Sequence, residues 1–421
     1  MIKASEYCAK IFDGTHETPK PTQDGEYLVT SKCLLDGKID FSSAYKISKE
    51  DYDEVNRRSQ VSQYDILFSM IGTIGNTYLE ESPDINYAIK NIGVFSCRNR
   101  EKAIFLYYYL QSPYAKKYIE RGLDGAVQKF LSLEKMRNFP VPEFSEPAYK
   151  AISELRRIDD KISTDNKIIE TSEKLMREIY DYWFVQFDFP DENGRPYKSS
   201  GGEMVYDETL KREIPKGWRV ESLVNCVSKE KNAIVDGPFG TQMKIGDYVE
   251  SGVPIYEMDQ LNGAFITKDN EHYITEQKYE EVKRSTVKNG DIIISKTGTL
   301  GLLGLVRSKY EKGIIVSRLA KITPNPHIIG KYALLIYLSK LTEGGYWLNM
   351  CGGSTMPILN NGIIGGTKII MPNSDLYQQF EAIAEPLYEQ IYNLQLETQK
   401  LASLRDWLLP MLMNGQVEIA D

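Results

Sequence analysis

The sequence predicts an α+β protein. Two tandem β-rich α/β domains are separated by a pair of long antiparallel coiled-coil helices, the halves related by a pseudo-twofold. Three observations predict this. The chain repeats itself, each repeat opens on short β-branched runs closed by glycine turns, and each ends on a long stretch with apolar residues at helical spacing. The 421 residues suffice for several cores. At 42% hydrophobic and 26% charged, the composition is ordinary for a globular chain and excludes wholesale disorder.

The repeat is legible residue by residue. YKISKEDYDEVNRRSQVSQYDILFSMIGTIG at 45–75 matches HYITEQKYEEVKRSTVKNGDIIISKTGTLG at 272–301. Tyr52 matches Tyr279, Asp65 matches Asp291, and Gly72 and Gly75 match Gly298 and Gly301. Upstream, Asp13-Gly14 matches Asp236-Gly237; downstream, Pro142 matches Pro372. The offset drifts only between 223 and 230, as loop insertions do to a duplicated fold. Units this large are tandem domains, not solenoid repeats.

Within each copy, Asp65–Phe68 and Asp291–Ile294 read as buried strands. Tyr27–Thr30, Ile89–Ser96, Pro254–Met258 and Ile314–Ile322 read as further strands. Ala103–Glu120 and Gly330–Leu341 read as helices. The long helices follow. In the second, Phe380, Ile383, Leu387, Ile391, Leu394, Leu401, Leu404, Leu408 and Met411 follow one another in steps of three or four, with Thr398 in the gap. In the first, the seam is Ile152, Leu155, Ile158, Ile162, Ile169, Met176, Ile179 and Trp183, with Asn166 at a polar seam position. Pro386 predicts a kink. Two matched stripes after two matched domains pack most simply on each other. A helix of about 39 residues is roughly 58 Å long, comparable to the about 34–70 Å between DNA half-sites one or two turns apart. The expected domains are 1–145 and 218–373, the helices 146–190 and 374–415, and the linker 191–217.

Charge and motifs narrow the function. The net charge of −8 is concentrated: residues 141–220 carry −4 and 374–421 carry −6, while 1–140 are neutral and 221–373 carry +2. A neutral domain can still hold a local basic face. The longest apolar run, Ala103–Leu110, is far short of the roughly 20 residues that cross a bilayer, and the start MIKASEYCAK has no apolar signal core. No membrane partner is expected, and a cytoplasmic location is the default. The five scattered cysteines form no C-x-x-C pair, and the three histidines have no metal-ligand spacing, so no metal site is expected. There is no G-x-x-x-x-G-K-[ST], no dinucleotide fingerprint and no G-x-S-x-G elbow. No catalytic residue is assigned.

The chain resembles the DNA specificity subunit of type I restriction–modification systems over essentially its full length. The pieces are GTHETPKPTQDG (14–25), LMREIYDYWFVQFDF (175–189), IPKGWRVESL (214–223), GDIIISKTGTLG (290–301) and LASLRDWLLPMLMNGQVEI (401–419). The first copy lacks the I-P-x-G-W lead-in, which predicts a trimmed first strand. The resemblance implies two target-recognition domains, each reading half of a bipartite, asymmetric double-stranded DNA target. It implies a subunit without catalysis that recruits two methyltransferase subunits and restriction subunits. S-adenosylmethionine and ATP with Mg would then belong to those partners, with no cofactor in this chain.

Base reading takes forked polar side chains on loops, and phosphate contact takes cations and hydroxyls. Three loops per domain qualify, each also compatible with an ordinary polar turn. The first carries Lys20 and Thr22, with Thr241, Gln242 and Lys244 in the other copy. The second is Ser69–Thr73, with Lys296 in its counterpart placed for phosphate. The third carries Gln128 and Lys129, with Ser354 and Thr355 opposite. Because the loops differ, the half-sites are expected to differ. Tyr180, Trp183, Phe184 and Trp407 are candidates either to close the helix pair or to dock a methyltransferase helix. The other readings are a specificity subunit for a methyltransferase-only system, a two-headed protein-binding scaffold, and a self-contained DNA-modifying enzyme. Missing catalytic motifs disfavour the last.

Overall fold

A computed structural model describes residues 1–35, 37–124, 129–144, 146–261, 263–352, 357–372 and 375–413. It divides into two units, one of residues 1–163 with those from Gln399 onward, the other Thr164–Thr398.

The β-rich part of the first unit is built on a four-stranded antiparallel sheet. Its order is Lys10–Asp13, Ile92–Ser96, Asp65–Ser69, Thr77–Leu79. Asp65–Ser69 and Ile92–Ser96 are buried along their whole length, which is why they read as continuous apolar runs. A second sheet orders Tyr45–Ile47, Glu26–Thr30 and Tyr87–Lys90, the last pair parallel. The expected strand 89–96 is therefore two strands in different sheets. Asn91, at φ 55°, turns the chain between them. The expected helix 103–120 is also two, Arg100–Gln111 and Pro113–Arg121. Ser112 ends the first and caps the second, its Oγ accepting from Ala115 N–H at 3.2 Å, with Pro113 at the first helical position.

The second unit repeats this plan. Its four-stranded sheet orders Ile234–Asp236, Leu319–Ile322, Ile292–Ser295, Leu303–Leu305. Its other sheet runs Tyr248–Val249, Tyr273–Ile274, Val253–Tyr256, Gly313–Ile315, Thr286–Val287, again with one parallel pair, Val253–Tyr256 with Gly313–Ile315. Matched glycines serve matched contacts: a Cβ on Gly14 would meet Ile89 O at 2.4 Å, and one on Gly237 would meet Val316 O at 2.1 Å. In the second copy Arg219–Ser222 pairs with Lys368–Met371. The first copy has the shorter pair Ile2–Lys3 with Pro140–Val141, so its opening strand is trimmed but present. Residues 204–215 form a hairpin, Met204–Asp207 with Arg212–Pro215.

Two long helices, Glu146–Tyr180 and Leu376–Met413, contribute a segment to each unit. In the first unit Ile152 and Leu155 share a core with Leu409 and Leu412. There Asp159 accepts from Tyr108 Oη at 2.5 Å and from Arg405 Nη1 at 2.9 Å, tying the helices to the domain. In the second unit Tyr180 packs on Phe380, with ring centroids 5.8 Å apart, while Glu173 and Tyr388 line one cavity. The two segments there run antiparallel.

The seams differ in detail from the apolar pattern. Asp165 is fully buried and Asn166 is exposed. The gap between Ile162 and Ile169 is seven residues, and a step of three or of four both fit it. On the second helix Ala384 is buried while Ile383 is 38% exposed, and Leu404 is 43% exposed. A small residue faces inward where large aromatics crowd the seam. The helix continues unbroken through Pro386. Among the described residues no helix is long and apolar enough to cross a membrane.

Candidate nucleic-acid interface

In the first unit the loop after Asp13-Gly14 is pinned at both ends. Thr15 N–H donates to Ile89 O at 3.1 Å, and Thr22 N–H donates to Lys46 O at 2.9 Å. The loop therefore runs from the strand edge at Lys90 to that at Lys46. Lys20 and Thr22 are exposed on it. Thr22 Oγ1 donates to Asp24 O at 2.8 Å, leaving its lone pairs free. Lys90 Nζ donates to Thr18 Oγ1, and Lys46 lies over the Tyr27 ring at 5.6 Å. Among the described residues Lys20, Lys46 and Lys90 make no salt bridge to a carboxylate. Their charge is available to an anion. Lys46 and Lys90 were not candidates from sequence, because their strand registers place them here. Lys129 is exposed, whereas Gln128 lies outside the described residues, as do Ser354 and Thr355.

At the base of this loop Asp13 Oδ2 meets His16 Nε2 at 3.1 Å, and His16 Nδ1 meets Asn91 Oδ1 at 2.9 Å. The matching carboxylate in the second unit, Asp236, instead holds Lys296 Nζ at 2.6 Å. This corrects the phosphate role expected of Lys296. Its side chain is buried, and the charge is already neutralised. Position 70 of the first copy, aligned with it, is Met. Ser295, just before, turns its hydroxyl inward to Thr299 O at 2.5 Å.

The first loop of the second unit is a built turn. Gln242 N–H donates to Phe239 O at 2.8 Å, and Phe239 N–H donates to Gln242 Oε1 at 3.1 Å. Gln242 Oε1 thus serves the loop, while the side-chain amide donors are left to a ligand. Thr241 and Lys244 are exposed. Asp247 Oδ2 accepts from Lys244 N–H at 2.7 Å. That bond holds the Asp247 carboxyl below the usual carboxylate range. Arg284 and Arg318 stand near the loop, exposed and, among the described residues, without a salt bridge.

The expected partner aromatics separate into two groups. Tyr180, Trp183 and Phe184 are buried in the second unit. Phe184 stacks on Tyr377 at 4.5 Å, and Trp183 meets Phe380 at 6.1 Å. They close the helix pair and are not available for docking. Trp407 is 58% exposed. Among the described residues no group of three or more His, Cys, Asp or Glu is placed to hold a metal.

Two copies of one β-rich head, each with exposed cations on the loop that follows the matching strand, make a duplicated fold. The family model for the type I restriction modification DNA specificity domain matches twice, at residues 20–171 and 241–405, more than half of the chain. The chain belongs to this family. It is 28% identical to the type I restriction enzyme MjaIX specificity subunit of Methanocaldococcus jannaschii, over 75% of this chain and 69% of that one. It is 21% identical to the HindI specificity subunit of Haemophilus influenzae, over 86% and 88% of the two chains. The crystal structure of the type I restriction-modification S subunit from M. genitalium shares the fold. Its TM-score is 0.57 at 17% identity, covering 97% of this chain and 94% of that one.

Proposed function

We propose that this chain is the noncatalytic sequence-specificity subunit of a type I restriction–modification complex. The domains at 1–145 and 218–373 each read one half of a bipartite, asymmetric DNA target. The helices at 146–190 and 374–415 act as spacers, with 191–217 linking the halves. It recruits two methyltransferase subunits, which take methyl groups from S-adenosylmethionine, and ATP- and Mg-dependent restriction subunits. The chain itself binds no cofactor and works in the cytoplasm.

The observation that carries this reading is the duplicated head with unlike loops. Equivalent frameworks imply equivalent docking, while Lys20 and Thr22 in one loop against Thr241, Gln242 and Lys244 in the other imply different half-sites. Methylation mapping in cells carrying the partner methyltransferase, with and without this chain, tests it. The expected result is a two-part motif present only with the chain; a motif indifferent to it overturns the reading. Binding to duplex DNA by the assembled complex should weaken steeply as salt rises, because phosphate contacts release counterions.

A further inference from the structure

We propose that Phe239 and Ile245 form an apolar prong with which the second head reads thymine methyl groups in the major groove of its half-site. This rests on the DNA-specificity reading and extends it to side chains of a different chemistry.

Phe239 is 68% exposed and Ile245 86% exposed, two large apolar groups held in water on one loop. They are not slack. Between them Met243 is buried in a core cluster with Val253, Ile255 and Ile274. The Phe239–Gln242 hydrogen bonds close the turn, and Asp247, paired with Lys278 at 3.5 Å, holds its far end. Gly237 sits so close to Val316 O that no side chain fits at the base. A prong pre-set in this way loses little freedom on binding.

Its surroundings select the ligand. Arg284 and Phe239 line one cleft of about 110 Å³. Arg318 lies between Val316 and Leu319, the residues that contact Gly237. Lys244 is next to Ile245. Among the described residues these three cations have no salt bridge. Exposed apolar groups with unpaired cations nearby complement a duplex groove, whose edges are lined by phosphates. At the floor of the major groove the thymine C5-methyl is the apolar group on offer. Thr241 and the Gln242 amide, between the two apolar residues, suit neighbouring base edges. The equivalent first-head loop carries Glu17, Thr18, Pro19 and Lys20, so the effect is confined to one half-site.

The test uses the full chain assembled with its methyltransferase. Phe239→Ala and Ile245→Ala should keep the wild-type melting temperature, since both groups are exposed. Their methylation motifs should become degenerate at a T position in one half only. In duplex oligonucleotides, replacing that T by deoxyuridine should weaken wild-type binding about fourfold, the loss of one buried methyl, and leave the Phe239→Ala complex unaffected. Unchanged motifs with equal uracil effects overturn the prong while the specificity reading stands. So does loss of methyltransferase capture with the motif intact, which would make the patch a protein contact. A wild-type chain that directs no motif overturns the specificity reading itself.

Discussion

At the scale of single residues, two charged groups carry clear consequences. Lys296 and Asp236 are a largely buried pair. Removing one partner strands the other, so Lys296→Met is expected to cost about 3 kcal/mol. Adding Asp236→Asn should recover most of that, since it removes the stranded charge. Urea unfolding of the single and double variants measures both. Glu381 accepts from Tyr332 and Ala333 N–H at 3.0 and 2.8 Å, at the start of helix Lys331–Glu343. Burial outweighs these two bonds and pushes its carboxyl from 4.5 up to about 7. The folded chain therefore holds this proton more tightly than the unfolded one. That contribution is complete at acid pH below the unfolded value and is lost as pH rises through about 7. Glu381→Gln cannot titrate. Its melting temperature, relative to wild type, should climb between pH 5 and pH 8; a constant difference would show that Glu381 is ionised throughout.

At the scale of elements, the long helices show where a pattern stops being informative. Apolar spacing located both helices, but it did not choose between Ile383 and Ala384, or between Asn166 and Asp165, because steps of three and four are equally helical. Packing made that choice. Phe380→Ala is therefore expected to cost about 3–5 kcal/mol, whereas Ile383→Ala, on the solvent side, should cost under about 1 kcal/mol. Comparable losses at both positions would place the seam elsewhere. The strands were more legible, since Asp65–Ser69 and Ile292–Ser295 are buried on both faces and need continuous apolar runs. Their neighbours were less so. The turn at Asn91 and the cap at Ser112 each split one expected element into two, through a single residue whose conformation depends on its surroundings.

At the scale of the molecule, each unit has its own cores. Ile66, Phe68, Phe95 and Leu155 belong to the first; Ile292, Leu334, Phe380 and Tyr388 belong to the second. A lesion in one should be felt there first. Hydrogen exchange on Phe380→Ala should quicken in Ile292–Ser295 and Leu319–Ile322 while Asp65–Ser69 and Ile92–Ser96 stay protected. Uniform loss of protection would mean that the units unfold as one.

What the sequence determined alone was the duplication, the class of fold and the family, because motif order and apolar runs are local and survive loop insertion. Only the tertiary structure decided which charges are spent and which are free. Lys296 looked like a phosphate ligand until a strand 60 residues earlier brought Asp236 to it. Nothing in the sequence marked Phe239 and Ile245 as the large apolar groups the fold leaves in water. Pairing and exposure arise between segments distant in the chain, and no window of sequence contains both partners.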